Sequence, residues 1–449
     1  MASEPEQNQP TKKPILANNH GEEEEDFISR LPNTILHMIL SKLKMRDAAV
    51  TAALSKRWAP VFTTLPSLKI DANSFNPRVL ECPGPGEPYV ENPEKWIYSL
   101  CSVLDSRKTP IEKFEIDVGI FRLYHEHFYV VFRELCVAGV EELLIINDNS
   151  CRIYQIPSPV FSCNTIINLE FTSCELVVPS KLTGLQSVKS LKLCHVTVAD
   201  TDLRRMISWC NAMEKLVIID CHKVQNIVIH GPSLLELVIS LHRPVGISLK
   251  SVPRLAFVEV SLIYDYDLWM NYHASFEERY AAREDSDEDI FSVSPRDFSG
   301  RDSRKTFEGT NEAANLVAFL NRIRSVKDLR LNFSSEYRVV TSYDNKYRRF
   351  ALELDFWDKQ LPAECVKHHM TTATFYLDGY ISEDCFGFPK FLLLNARNLK
   401  NMNIFYTGKL KDKPETAEKI KQEVLAVQKA SPDVEMTIKP ILLAWYMYI

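Results

Sequence analysis

The sequence predicts an α/β chain: a short N-terminal unit of helices, then a long array of stacked strand-plus-return units. Two observations predict it. A segment of the form apolar-x-x-apolar-x-apolar recurs along most of the chain, and residues 26–70 carry large apolar side chains at helical spacing. Composition agrees. Hydrophobic residues make up 45% and charged residues 25% of the 449, enough apolar surface to build cores. Glycine, at 13, is too scarce for folds built on glycine turns or glycine-rich phosphate loops.

The N-terminal helices come first in the chain. Residues 1–24 are rich in Pro, Asn, Gln and Glu, and read as a disordered tail. From Asp26 the sequence runs DFISRLPNTILHMILSKLKMRDAAVTAALSKRWAPVFTTLPSLKID. Pro32 suits the first turn of a helix. Ile35, Leu36, Ile39, Leu40 and Leu43 then form one apolar stripe. Asp47 is expected to cap a second helix whose apolar side holds Ala48, Val50, Ala53 and Leu54. Ser55 is expected to cap a third turn carrying Lys56, Arg57 and Trp58. So few residues cannot cover so many large apolar side chains, so part of the stripe is expected to face a partner or the array's own end.

The strands follow. IINLEF around Leu169, VKSLKL around Leu191, MEKLVI around Leu216, LLELVI around Leu237, LAFVEV around Val258 and VKDLRL around Leu329 share one pattern. The first four steps are 22, 25, 21 and 21 residues, and the step from Val258 to Leu329 is 71. Weaker copies lie around Phe114, Leu143, Leu352, Phe375 and Met402. Each unit is one short strand and a return, which cannot bury its apolar face alone; stacked units share a core as a solenoid. Cys174 and Cys221 fall at one offset and read as buried thiols. The pattern is that of a degenerate leucine-rich repeat. Helical returns are expected at 311–326, 388–399 and 413–430. The charged stretch 274–309 reads as a mobile surface insertion, with Ser286 a solvated loop serine before an acidic run.

In each strand the middle residue points away from the core, since side chains alternate. Those positions are Glu170, Lys192, Val217, Val238, Glu259, Arg330, Glu353, Tyr376 and Asn403. Val217 and Val238 are expected to form an exposed apolar step in a charged row, with Glu259 and Arg330 beside them as candidate substrate-binding residues.

Several function classes find no support. A net charge of −6 disfavours nucleic-acid binding. Eleven cysteines without a CxxC pair support neither a disulfide framework nor a zinc ribbon, and suggest a reducing compartment, cytoplasmic or nuclear. The polar N-terminus is unlike a signal peptide, and the run ILLAWYMYI at 441–449 is too short for a bilayer and reads as a tail packed on the protein. His125 with His127, and His368 with His369, lack partners at zinc-like spacing and read as solvated or packed. No GxSxG, HExxH, Walker-type or GxGxxG motif occurs. No catalytic residue, metal, cofactor, nucleic acid or membrane partner is expected.

The segment from Asp26 to Trp58 closely resembles the F-box of plant F-box proteins. Leu31-Pro32, the Ile35–Leu43 stripe, Asp47-Ala48, Val50-Thr51 and Leu54-Ser55-Lys56-Arg57-Trp58 carry the resemblance. FGFPKFLLLNARNLKNMNIFY (386–406) resembles, more weakly, the FBD module that ends many plant F-box/leucine-rich-repeat proteins. The resemblance implies an F-box at 25–65, a leucine-rich-repeat solenoid at 66–340 and terminal FBD-like repeats at 341–449. It further implies a non-catalytic subunit that docks on a Skp-type adaptor and, through it, a cullin, while the repeats capture a protein substrate for ubiquitin transfer. The candidate adaptor-binding residues are Leu31, Pro32, Ile35, Leu36, Ile39, Leu40, Leu43, Val50, Leu54 and Trp58, some of which must form the motif's own core. A repeat scaffold without ubiquitin-ligase function stands as the alternative.

Overall fold

The computed structural model describes residues 28, 30–71, 74, 93–107, 109–119, 128–147, 153–241, 246–263, 319–335, 357, 359–379, 386–407 and 421–441. The expected tail (1–24), the expected insertion (274–309), His125, His127, Glu353 and residues 442–449 lie outside them.

Three helices open the fold: α1 (Asn33–Ser41), α2 (Met45–Leu54) and α3 (Trp58–Thr63). Pro32 stands just before α1, and its carbonyl accepts from the amides of Ile35 and Leu36. The expected cap at Asp47 is corrected. α2 starts two residues earlier, at Met45, and Asp47 lies in its first turn, where a carboxylate faces the positive end of the helix. Ser55 serves α3 largely as expected. Its carbonyl accepts from Trp58 and Ala59, and its hydroxyl accepts from the Arg57 amide at 3.2 Å.

Among the described residues, twelve parallel strands form one sheet in strict chain order. They are β1 (Ser67–Ile70), β2 (Lys113–Asp117), β3 (Glu142–Ile146), β5 (Asn168–Thr172), β7 (Ser190–Cys194), β9 (Lys215–Ile219), β11 (Glu236–Leu241), β13 (Phe257–Ile263), β14 (Asp328–Ser335), β15 (Thr372–Gly379), β16 (Asn401–Thr407) and β17 (Glu435–Ile441). Sequence-adjacent strands in this sheet are spatial neighbours, so each repeat buries its apolar face only against the repeats beside it. The alternation is direct. Phe114 and Ile116, Leu143 and Ile145, Leu169 and Phe171, Leu191 and Leu193, and Leu216 and Ile218 are all buried in one continuous core. Each such side chain stabilises the fold by ~1.5–3 kcal/mol.

Two smaller parallel sheets run alongside. One holds β4 (Tyr154–Gln155), β6 (Cys174–Leu176) and β8 (Thr197–Val198); the other holds β10 (Asn226–His230) and β12 (Gly246–Ser251). The chain turns out of the main sheet at Ser173, His195 and Asp220, with φ of 55°, 53° and 46°. These are non-glycine residues in the left-handed region, one residue after β5, β7 and β9. Each amide donates to a carbonyl at the end of the next main-sheet strand: Ser173 to Cys194, His195 to Ile219 and Asp220 to Ser240, at 2.8–2.9 Å. The corner is held by its neighbour, which is how a strained backbone persists.

Helices fill several returns: α4 (Pro93–Asp105), α5 (Phe128–Ala138), α6 (Asp200–Trp209), α7 (Glu364–His368) and α8 (Gly387–Asn395). Only α8 was anticipated by its spacing. Residues 319–320 and 421–425 are helical within two other expected returns. The sheet passes directly from β13 to β14, with Phe257–Ile263 in register with Asp328–Ser334. It likewise passes from β14 to β15. The weaker copy expected around Leu352 lies outside the described residues.

Candidate functional site

The N-terminal helices divide the candidate residues into two sets. Leu36, Leu40 and Trp58 are buried, with Val61 and Phe62, in the small core where α1 and α2 meet α3. They build the motif and are not part of its surface. Leu31 is half-buried and packs on that core. Its carbonyl accepts from the Arg57 guanidinium at 3.1 Å, which ties the start of α1 to the turn before α3. Ile35, Ile39, Leu43 and Val50 are large apolar side chains exposed by 37–49%, and Pro32 is exposed beside them. Met38, exposed by 63%, joins this surface. The spacing argument passed over it because Met38 sits one step off the stripe. The Leu54 side chain lies outside the described residues.

The result is a helix with two apolar faces. One is satisfied by the domain itself. The other, formed by Ile35, Met38, Ile39 and Leu43 on one helix of nine residues plus the turn after it, is open. Isolated exposed apolar residues need no explanation, but a contiguous group of this kind marks an interaction site. His37 lies between the faces and contacts the Thr64 hydroxyl at 3.0 Å, fixing α1 against the end of α3.

The second surface is the outward face of the main sheet. Strand pairing sets one row across all twelve strands: Lys69, Glu115, Leu144, Glu170, Lys192, Val217, Val238, Glu259, Arg330, Thr374, Asn403 and Thr437. Opposite charges meet along it. Lys69 pairs with Glu115 at 2.6 Å, Lys192 with Glu170 at 3.0 Å, and Arg330 with Glu259 at 3.9 Å. In the neighbouring row Lys215 pairs with Glu236 at 3.0 Å. Such cross-strand pairs fix register and cover the face, and each exposed one contributes little to stability.

Three candidate positions on this face need correction. Val217 is only 7% exposed. Lys192 and Val238 flank it in register and Lys215 and Ile219 flank it along the strand, so it is covered. Val238 is half-buried, and no exposed two-valine step forms. Tyr376 lies one row further along than expected. Arg330 faces Thr374, while Tyr376 faces Asn332 and stacks on Phe405 at 5.3 Å.

Glu259, Asp328 and Arg330 form a polar cluster on the face. The Arg330 guanidinium lies 4.8 Å above the Phe257 ring and 3.5 Å from Asp328. Burial pushes the carboxyls of Glu259 and Asp328 above their usual range, against the pull of Arg330. Asp328 Oδ1 is buried without a hydrogen-bond partner. The thiols read as core are core. Cys174 and Cys221 are buried, and desolvation raises the pKa of Cys174 well above the usual thiol value. No group of three or more His, Cys, Asp or Glu that would hold a metal occurs among the described residues.

Comparison with known proteins agrees with this division. Residues 28–69 match the family model of the F-box domain. Residues 130–266 match the model described as FBD-associated F-box protein At5g56370, LRR repeats. Among curated proteins, the F-box/FBD/LRR-repeat protein At1g13570 of Arabidopsis thaliana is 28% identical over 247 residues, 55% of this chain and 56% of that one. F-box/FBD/LRR-repeat protein At5g56420 of the same plant is 30% identical over 222 residues, 49% of each chain. F-box/FBD/LRR-repeat protein At1g80470, also from Arabidopsis thaliana, is 27% identical over 220 residues. The chain spans about half the length of the curated relatives it matches. An F-box near the N-terminus is thus followed by a leucine-rich-repeat region, on a mixed α/β framework.

Proposed function

We propose that this chain is the substrate-recognition subunit of a Skp-cullin-F-box ubiquitin ligase, acting in the cytoplasm or nucleus. The exposed apolar face of α1 carries the reading: Ile35, Met38, Ile39 and Leu43, with Pro32 and Val50 at its margin, lie within the F-box match and are left uncovered by the domain's own core. F-box domains in general bind Skp1-type adaptors. The adaptor takes this face, the cullin follows through the adaptor, and the repeats hold a protein substrate.

The role needs no catalytic group in this chain. Tethering a substrate near a charged ubiquitin-conjugating enzyme replaces a bimolecular encounter by an effectively intramolecular one, which raises the rate through effective concentration. A stiff parallel sheet suits that task, because a rigid link preserves the effective concentration a floppy one would dilute. Residues 25–65 serve as the docking domain, 66–340 as the repeat array and 341–449 as its FBD-like end. On the array the outward face around Glu259 and Arg330 is the substrate-facing side.

Affinity purification of the full chain from plant cells, with mass spectrometry of its partners, tests the reading. Recovery of a Skp-type adaptor together with a cullin is the expected result. Recovery of the adaptor with no cullin would replace it by a repeat scaffold without ligase function. Absence of both would overturn it.

A further inference from the structure

The main sheet has two ends, and they are unlike. At the first, α2 lies against β1. At the other, β17 pairs with β16 on one side, and no strand among the described residues pairs with its outer side. The Glu435 amide donates to the Lys400 carbonyl at 2.8 Å. In a parallel ladder alternate residues turn their backbone groups to alternate sides, so Glu435, Thr437 and Lys439 bond β16 while Met436, Ile438 and Pro440 turn theirs outward. The outward N–H and C=O groups of Met436 and Ile438 have no partner among the described residues. Such a row is a template for one more strand.

The side chains say which strand fits. Glu435, Thr437 and Lys439 stand on the outward face of the sheet, in register with Asn401, Asn403 and Phe405. Glu435 and Lys439 are exposed, and neither joins an ion pair among the described residues. An acid, a hydroxyl and a base at two-residue spacing are self-complementary. Turned by half a circle about Thr437, the strand meets its own copy antiparallel. Glu435 then faces Lys439 of the partner subunit, twice over, and Thr437 faces its equivalent. These are the non-hydrogen-bonded positions, where opposed side chains lie closest. Met436 and Ile438 face each other across the same seam and exchange both main-chain bonds in each pair. Moving the centre by two residues sets lysine against lysine or glutamate against glutamate. Pro440 has no N–H to give and ends the ladder.

We propose that the outer edge of β17 is an interface for a second copy of this chain, paired antiparallel about Thr437 into a two-fold dimer with one continuous main sheet. The pairing is isologous and uses up the edge on both copies, so the assembly closes at two and does not grow into a fibre. The N-terminal helices precede β1 at the opposite end of the sheet, so the open face of α1 stays free on both copies. The dimer therefore does not rest on the ligase reading. Combined with that reading, it places two docking helices on one assembly.

Sedimentation velocity of the full chain, with charge exchange at the seam, tests it. The parent is expected to show a concentration-dependent dimer. Glu435→Lys alone opposes two lysines, and Lys439→Glu alone opposes two glutamates, so each should weaken the dimer by ~10-fold or more. The exchanged variant, Glu435→Lys with Lys439→Glu, restores both pairs and should dimerise like the parent. Both side chains are exposed, and an unchanged thermal melt confirms folding. Hydrogen exchange needs no variant: protection of the Met436 and Ile438 amides should rise with protein concentration. A parent that stays monomeric up to ~100 μM overturns the proposal. So does a dimer indifferent to the single exchanges, or one that the double exchange fails to restore. Protection of these amides at every concentration would mean that the chain's own residues after β17 take the edge, and would overturn it too. Adaptor binding is read on α1, so failure of this interface and failure of the ligase reading are separable.

Discussion

Replacing Gly184 by Ala tests how tightly successive repeats are stacked. A Cβ at this position would lie 2.3 Å from the carbonyl carbon of Ser162 and 2.5 Å from the amide nitrogen of Cys163. Both are backbone atoms of the preceding repeat, so no side chain can rotate away. A normal contact requires a separation of at least about 1 Å more. That shift pulls on two main-chain hydrogen bonds, Gly184 to Phe161 at 3.0 Å and Leu185 to Cys163 at 2.8 Å. It also pulls on the Trp209 indole, which donates to the Gly184 carbonyl at 2.7 Å. Three strained bonds at about 1 kcal/mol each, plus about 1 kcal/mol or more of overpacking strain, give a loss of roughly 3–5 kcal/mol. Gly231 is the internal comparison. There the nearest atom to an added Cβ is the Leu234 side chain, at 2.9 Å, and the loss should be smaller. Urea unfolding gives the free energies, and hydrogen exchange at Cys163 and Leu185 locates the damage. An unaltered midpoint for Gly184→Ala, or equal losses at the two glycines, would refute the close-stacking argument.

Other consequences follow from the same geometry. Trp357 is buried with its ring 4.4 Å from Phe388 and 5.1 Å from Phe391, so Trp357→Ala should cost ~3–5 kcal/mol in urea unfolding. Burial raises the carboxyls of Glu259 and Asp328 in the folded state, so the fold holds their protons more tightly than the unfolded chain does. That contribution is present below the unfolded pKa and lost as pH rises through the folded one, so the parent should lose stability relative to Asp328→Asn as pH rises from about pH 4; a constant difference would contradict it. Burial pushes the thiols of Cys194, Cys210 and Cys365 up to about 11, 12 and 12, so a maleimide should label them slowly in the native chain and fast in urea. Rapid native labelling of Cys210 would mean that the core opens locally.

The parts of this fold legible in the sequence are those set by a strict period. Paired apolar residues two apart, such as Leu169 with Phe171 and Leu191 with Leu193, marked the main-sheet strands because nothing else places them on one buried face. The same period hides position along a strand. In TATFYL, Ala373, Phe375 and Leu377 alternate equally well, and only pairing with β14 shows that Thr374, not Tyr376, faces Arg330. The corners at Ser173, His195 and Asp220 were illegible for a different reason. Three unlike residues adopt one left-handed conformation with no glycine to announce it, because hydrogen bonds to the following repeat impose it. On α1 the stripe was visible, but its division was not. Leu36 and Leu40 turn to the core while Ile39 and Leu43 do not, and that depends on where α3 packs. Val217 looked exposed from alternation alone, yet the lysine stems and Val238 beside it exclude water, which no single-strand pattern records.

The open face of α1 is the central claim, and binding of a Skp-type adaptor to the full chain measures it most directly. Ile39→Asp with Leu43→Asp places two charges on side chains that are already solvent-exposed, so the fold should survive, as a thermal melt would show. Central apolar anchors commonly contribute about 2 kcal/mol or more each, so affinity should fall by ~100-fold or more in calorimetry or surface plasmon resonance. The matched control, Val137→Asp on the exposed side of α5, should bind the adaptor like the parent. Undiminished binding by the folded double variant would contradict the account.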